Sequence, residues 1–169
     1  CINVSILSAA FAKHLGLLQG EIRNVALCGL LHDVGKMSID DGILNKPGAL
    51  TPEEFAVMKK HTTFGRDVLA ALPQLAHSAV DVAYSHHERM DGNGYPRGLA
   101  GHQIPLFAKI VGLVDTYDAI TSSRVYDKGR ASMEALQIIH RNKGTQFDEG
   151  LAVEFIRMIG VYPPGSIVE

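Results

Sequence analysis

The stretch "HHERMDGNGYP", residues 86–96, sets two adjacent histidines and a glutamate ahead of a turn containing Asp91, Gly92, Gly94 and Pro96. Neighbouring residues on a helix point about 100° apart, so His86 and His87 cannot easily bind one ion in the same way. They fit two ions, or opposite sides of one cluster. Gly92 and Gly94 permit positive φ and Pro96 stiffens the exit, which predicts a shaped loop beside the imidazoles. Tyr95 keeps three readings: a core aromatic fixing the loop, an exposed docking residue, or a substrate contact.

Outward from this stretch the punctuation is helical. Apolar residues at Ile6, Leu7, Ala10, Phe11 and Leu15 make one helix face, stopped by Gly16. "EIRNVALCGLLHDVGK" (21–36) is apolar on most sides from Val25 to Leu31, which predicts a buried helix. "TPEEFAVMKKH" (51–61) opens with Thr51 as N-cap, Pro52 at the first helical position and Glu54 closing a capping box. Further helices are read in 74–88, in 105–122 from Pro105, in 132–144 with Ser132 as cap and Gly144 as stop, and in 148–160 after Asp148. The expected fold class is all-α, a bundle of about seven helices with long functional loops. Two connections, 40–50 and 91–105, exceed the roughly 2–8 residues usual between bundle helices. Long glycine-rich loops often carry function, and 40–50, with Lys46 and Pro47, is a candidate lid.

The 169 residues suit one domain, 1–169, with one core. A 46% hydrophobic and 20% charged composition is that of a globular protein. The net charge of −2 argues against a nucleic-acid polymer as partner. No apolar run approaches the roughly 18 residues needed to cross a bilayer. Cys1 is terminal and Cys28 lies in an apolar helix, so no disulfide is expected and a reducing, cytoplasmic setting fits. The chain begins at Cys1 and is read as a fragment of a longer protein, missing the start of its first helix.

"LLHDVGK" (30–36) places His32 and Asp33 together at the end of an apolar helix. Taken alone, the pair is either structural, a cap and a hydrogen-bonded imidazole, or a pair of metal ligands. His61 ends "FAVMKKH", and Asp115 lies inside the apolar "KIVGLVDTYDAI". A carboxylate there is costly unless paired or metal-bound. With His86 and His87 these residues make a donor set rich enough for two metal ions, with Asp33 able to bridge them. Mixed nitrogen and oxygen donors favour iron, manganese, nickel or zinc over magnesium. His14, His77, His102 and His140 read as exposed.

The two motifs, together with "LNKPGALTPEE" and "IPLFAKIVGLVDTYDAITSSR", resemble the HD-GYP family of HD-domain phosphohydrolases over nearly the whole chain. The resemblance implies an all-helical HD bundle that hydrolyses cyclic di-GMP to pGpG, and in many members of the family on to GMP. It implies metal roles for His32, Asp33, His61, His86, His87 and Asp115, with two or three divalent ions, iron or manganese ahead of nickel or zinc. It implies a phosphate contact from Lys36 and a substrate contact from Arg124. It also implies partner-protein contacts through Gly94, Tyr95 and Pro96. The expected chemistry is attack on phosphorus by metal-activated hydroxide, with Asp33 and Lys36 as the catalytic side chains. The family pattern puts one more histidine immediately before Cys1. Asp40 and Thr62 stand where prolines are common, and Asp127 where a basic residue is common, so Lys128 is expected to substitute as a substrate contact. The alternatives are a non-catalytic module binding cyclic di-GMP or a partner protein, and a phosphohydrolase acting on another nucleotide.

Overall fold

Tyr117 to the core, Asp115 to the site: α7 (Leu106–Ser122) explains most of the architecture. Ala108, Ile110, Val111, Leu113, Val114 and Tyr117 are all buried, a face too broad for one neighbour. Five helices therefore pack on it: α1 (Ile2–His14), α2 (Gln19–Leu31), α6 (His77–Ser85), α8 (Lys128–Arg141) and α9 (Glu149–Val161). The computed structural model describes residues 1–72, 74–122 and 128–161, without the side chains of 128–131 and 161. Among the described residues it adds α3 (Asp41–Leu44), α4 (Pro52–Met58) and α5 (His61–Ala70), with short 3₁₀ segments at Val34–Ser38 and Gly101–Gln103. No strand occurs among the described residues; two isolated bridges, Asp91 with Ala100 and Lys143 with Phe147, close loops. The all-helical class is as expected.

Nine α-helices rather than about seven are present among the described residues, for two local reasons. Asp40 caps a one-turn helix inside the expected loop 40–50, its Oδ1 accepting from the Gly42 amide at 2.9 Å. Lys46 of the same loop is held by both oxygens of Glu54, at 2.8 and 2.6 Å. The segment ending at His61 is also not one helix. α4 begins with the expected Thr51–Glu54 capping box but stops at Met58, and His61 opens α5. The His61 and Thr62 side chains donate to the carbonyls of Met58 and Lys59 at 2.8 and 2.9 Å, so side chains rather than another helical turn satisfy the end of α4. α5 buries His61, Thr62, Gly65 and Leu69. Leu69 is the one large apolar residue among these four, so apolar spacing alone does not mark where the helix begins.

Other boundaries moved less. α8 begins before Ser132, which is buried within the helix and pairs its hydroxyl with Tyr117 at 2.8 Å. Leu30 on α2 is exposed although Val25 and Cys28 are buried. Both cysteines are free, and burial pushes the Cys28 thiol up to about 11. His14, His77, His102 and His140 are exposed as expected, with His14 paired to Glu154 at 3.1 Å.

Candidate metal centre

The helix ends meet at one place. His32 directly follows α2, and Asp33 leads the 3₁₀ segment that carries Lys36. His61 sits where α4 gives way to α5, His86 and His87 follow α6, and Asp115 faces them from α7. Asp33 is at the middle. Its Oδ2 lies 3.2 Å from His32 Nε2 and 2.6 Å from Lys36 Nζ. Its Oδ1 lies 3.5 Å from His61 Nε2 and 3.9 Å from His86 Nε2. Asp115 Oδ1 approaches His32 Nε2 at 3.4 Å. Donor atoms of His61, His86 and His87 lie within 4.8 Å of one another. The structure thus brings all six sequence-predicted residues together as two donor groups, with one oxygen of Asp33 turned to each.

Three of the histidines share one local device. His32 Nδ1 meets the Gly29 carbonyl at 2.8 Å, His61 Nδ1 that of Met58 at 2.8 Å, and His86 Nδ1 that of Val82 at 3.0 Å. A carbonyl can only accept, so Nδ1 carries the hydrogen and Nε2 faces the cluster. Each carbonyl belongs to the last turn of a helix; that of Val82 also accepts from the His86 amide at 3.0 Å. The same three helix ends carry partial negative charge, which favours cations.

The donor set fits a metal. His32 Nε2 and Asp33 Oδ1 are buried with no hydrogen-bond partner among the described residues, an arrangement that is costly without something to coordinate. The Nε2 atoms of His61 and His86 face each other at 3.4 Å, two lone pairs with no proton between them. Burial pushes both imidazoles down, and pushes His87 down to about 3 with help from the charge of His61. These three are therefore neutral donors at ordinary pH. His32 differs: burial presses it down, but the Asp115 and Asp33 carboxylates facing it at 3.4 and 3.2 Å outweigh that and hold it up at about 9. The reciprocal contact with His32 holds Asp33 well below the usual carboxylate range in spite of its burial, with Lys36 adding to the effect. Cation binding here must displace the His32 proton.

Four residues near the cluster were missed or left open in the sequence. Glu88, the third residue of the opening motif, is buried, and its two oxygens accept from the Arg97 and Leu99 amides at 2.8 and 2.9 Å. It staples the glycine loop beneath the histidines; its place in the motif was the available signal. Tyr95 stacks on His87 with ring centroids 4.7 Å apart. Gly94 does not use positive φ, contrary to expectation, whereas Gly92 does, at 75°. A Cβ on Gly94 would stand 2.6 Å from the His87 carbonyl oxygen and 2.5 Å from the Arg89 nitrogen, so close backbone approach is what requires glycine there. Cys1 Sγ joins His32 and Asp33 in a second group of donors within 4.8 Å, which no spacing rule foretold. Arg124 lies outside the described residues, and so does the side chain of Lys128, whose backbone opens α8.

An all-helical bundle whose helix ends deliver an adjacent His-Asp pair to a multi-histidine cluster is the arrangement of an HD domain. The chain belongs to that family, whose model, described as HD domain, matches residues 3–151. It is 43% identical over 167 residues to the cyclic di-GMP phosphodiesterase PA4108 of Pseudomonas aeruginosa, covering 99% of this chain and 40% of that protein. It is 37% identical over 157 residues to a cyclic di-GMP phosphodiesterase of Thermotoga maritima, covering 92% of this chain and 43% of that one. The chain thus spans about two fifths of the length of these curated relatives. The solved structure of Bd1817, an HDG"Y"P protein from Bdellovibrio bacteriovorus, shares the fold with a TM-score of 0.77 at 22% identity, over 94% of this chain and 51% of that one. No helix among the described residues is long and apolar enough to cross a membrane.

Proposed function

We propose that this domain is a metal-dependent phosphodiesterase of the cytoplasm that hydrolyses cyclic di-GMP to pGpG and on to GMP. The observation that carries the reading is the pair of donor groups sharing Asp33, each with Nε2 atoms and carboxylate oxygens turned inward. The relatives named for this activity support the choice of substrate. One group is His32, Asp33 and Asp115; the other is His61, His86, His87 and the second oxygen of Asp33. Divalent ions held there, iron or manganese, would lower the pKa of a bound water and offset charge on the phosphate.

The chain's own residues do the rest. The hydrogen bonds from Nδ1 to Gly29, Met58 and Val82 make Nε2 the atom that each ring turns to a cation, and at His32 that atom must first give up its proton. Asp115 and Asp33 orient His32 from two sides. Lys36 stands at the solvent edge with its ammonium on Asp33, and it turns to a phosphate oxygen as negative charge builds there. Arg124 and Lys128 are further substrate contacts in this reading, through a planar fork and a point charge respectively. Gly94, Tyr95 and Pro96 present the loop to protein partners.

The test is elemental analysis of full-length protein purified with and without oxygen, with turnover of cyclic di-GMP and other cyclic dinucleotides measured on the same samples. Bound iron or manganese, loss of turnover on chelation and recovery on reloading are expected. Turnover that survives metal removal would overturn the mechanism, and a metal-loaded protein that cleaves only a different cyclic dinucleotide would overturn the substrate.

A further inference from the structure

Beside the cluster lies an aromatic and cationic group that the chemistry described above does not use. Phe55, on the rigidly capped helix α4, is 44% exposed. Its ring meets Tyr95 edge-on at 6.3 Å, and Tyr95 in turn stacks on the candidate ligand His87. The Lys59 ammonium sits one turn on, 4.8 Å from the Phe55 centroid and 5.4 Å from that of Tyr95. Among the described residues Lys59 makes no ion pair with a carboxylate. Phe55, Lys59, His87 and Tyr95 all line one cavity of about 300 Å³, within the size range of small-ligand sites.

An exposed flat ring beside an ammonium without a counter-charge matches a nucleotide, which offers a π-face and a phosphate a few ångströms apart. We infer that Phe55, Lys59 and Tyr95 form a nucleotide subsite at the edge of the centre, with Phe55 stacking a purine base and Lys59 meeting a phosphate of the same nucleotide. The inference rests on the proposed function for its substrate class. It adds a determinant of affinity separate from the metal donors: the cluster acts on phosphate, whereas this subsite recognises the base.

The chain has no tryptophan, so Phe55→Trp places a fluorescent reporter on the subsite, read as a difference against the unsubstituted full-length protein. Titration with GMP should quench it saturably, ribose 5-phosphate should not, and adding Lys59→Met should weaken GMP binding about tenfold. Base–aromatic stacking predicts that Phe55→Ala raises KM for cyclic di-GMP by roughly 5- to 150-fold, with Phe55→Tyr restoring most of it. Metal content is measured on every variant. A KM rise accompanied by metal loss would mean that Phe55 only props Tyr95 and His87, and would overturn the subsite. So would equal responses to GMP and ribose 5-phosphate, or an unchanged KM. If the unsubstituted protein cleaves no cyclic dinucleotide yet GMP still quenches the Phe55→Trp variant selectively, the substrate assignment falls and the subsite stands. If turnover is normal and the quench is absent, the subsite alone falls.

Discussion

Gly35→Ala tests how tightly the cluster's geometry depends on backbone contact between two segments. The 3₁₀ segment Val34–Ser38 crosses the start of α5, and Gly35 is buried against it. A Cβ there would collide with the His61 carbonyl oxygen and the Gly65 nitrogen, and would stand 2.9 Å from Gly65 Cα. All three are backbone atoms, so no rotamer change relieves the clash, and the segments must part by on the order of 1 Å, within the range of backbone shifts that overpacking forces. Overpacking costs about 1–3 kcal/mol, and a backbone collision belongs at the upper end. For a domain of this size that lowers Tm by roughly 6–12 °C. α5 carries His61, whose Nε2 is 3.5 Å from Asp33 Oδ1, and metal–donor distances tolerate only about 0.2 Å. Metal affinity should therefore fall by about 10- to 100-fold, the range seen when a ligand's support is lost. Thermal melts of the metal-free protein and metal titration against a competing chelator read the two effects separately. A variant with wild-type Tm and chelator competition within twofold of wild type would refute the reasoning.

Three further outcomes follow from single contacts. Asp33→Asn keeps the shape of the shared ligand but removes its charge, so bound metal per chain should drop and turnover of cyclic di-GMP should fall below detection; full occupancy by elemental analysis would contradict a shared carboxylate. Tyr117→Phe removes the buried partner of Ser132 and should cost about 1–3 kcal/mol, the penalty for an unpaired buried hydroxyl, read by denaturant melts, with metal content unchanged. The Cys28 thiol is buried and raised to about 11, so its protonated form persists as pH rises through the usual thiol range. At pH 8 a thiol reagent should modify exposed Cys1 quickly and Cys28 only after unfolding; two equally fast thiols would mean that α2 is not packed as described.

The residues that meet at the cluster were legible because their placement is locally costly. An aspartate such as Asp115 inside an apolar helix, and histidines at the ends of apolar runs, call for partners whatever the fold. The capping box at Thr51 was legible for the same local reason, since its bonds span three residues. The boundary at His61 was not, because the first three residues that α5 buries are His61, Thr62 and Gly65, and a large apolar residue, Leu69, comes only at its far end. Glu88 was in plain view in the motif, but its role depends on a loop returning to it from Arg97 and Leu99.

By itself the sequence determined the helical class and singled out the candidate donor residues, all consequences of short-range periodicity and of the energetic penalty for burying charge. Only the tertiary structure decided that the oxygens of Asp33 divide between two donor groups, that Cys1 joins one of them, that Gly94 serves close approach rather than positive φ, and that Tyr95 lies on His87 with Phe55 and Lys59 beside it. Most of those relations join residues far apart along the chain, and those of Gly94 and Tyr95 depend on how one loop folds back on His87. No local rule encodes that packing.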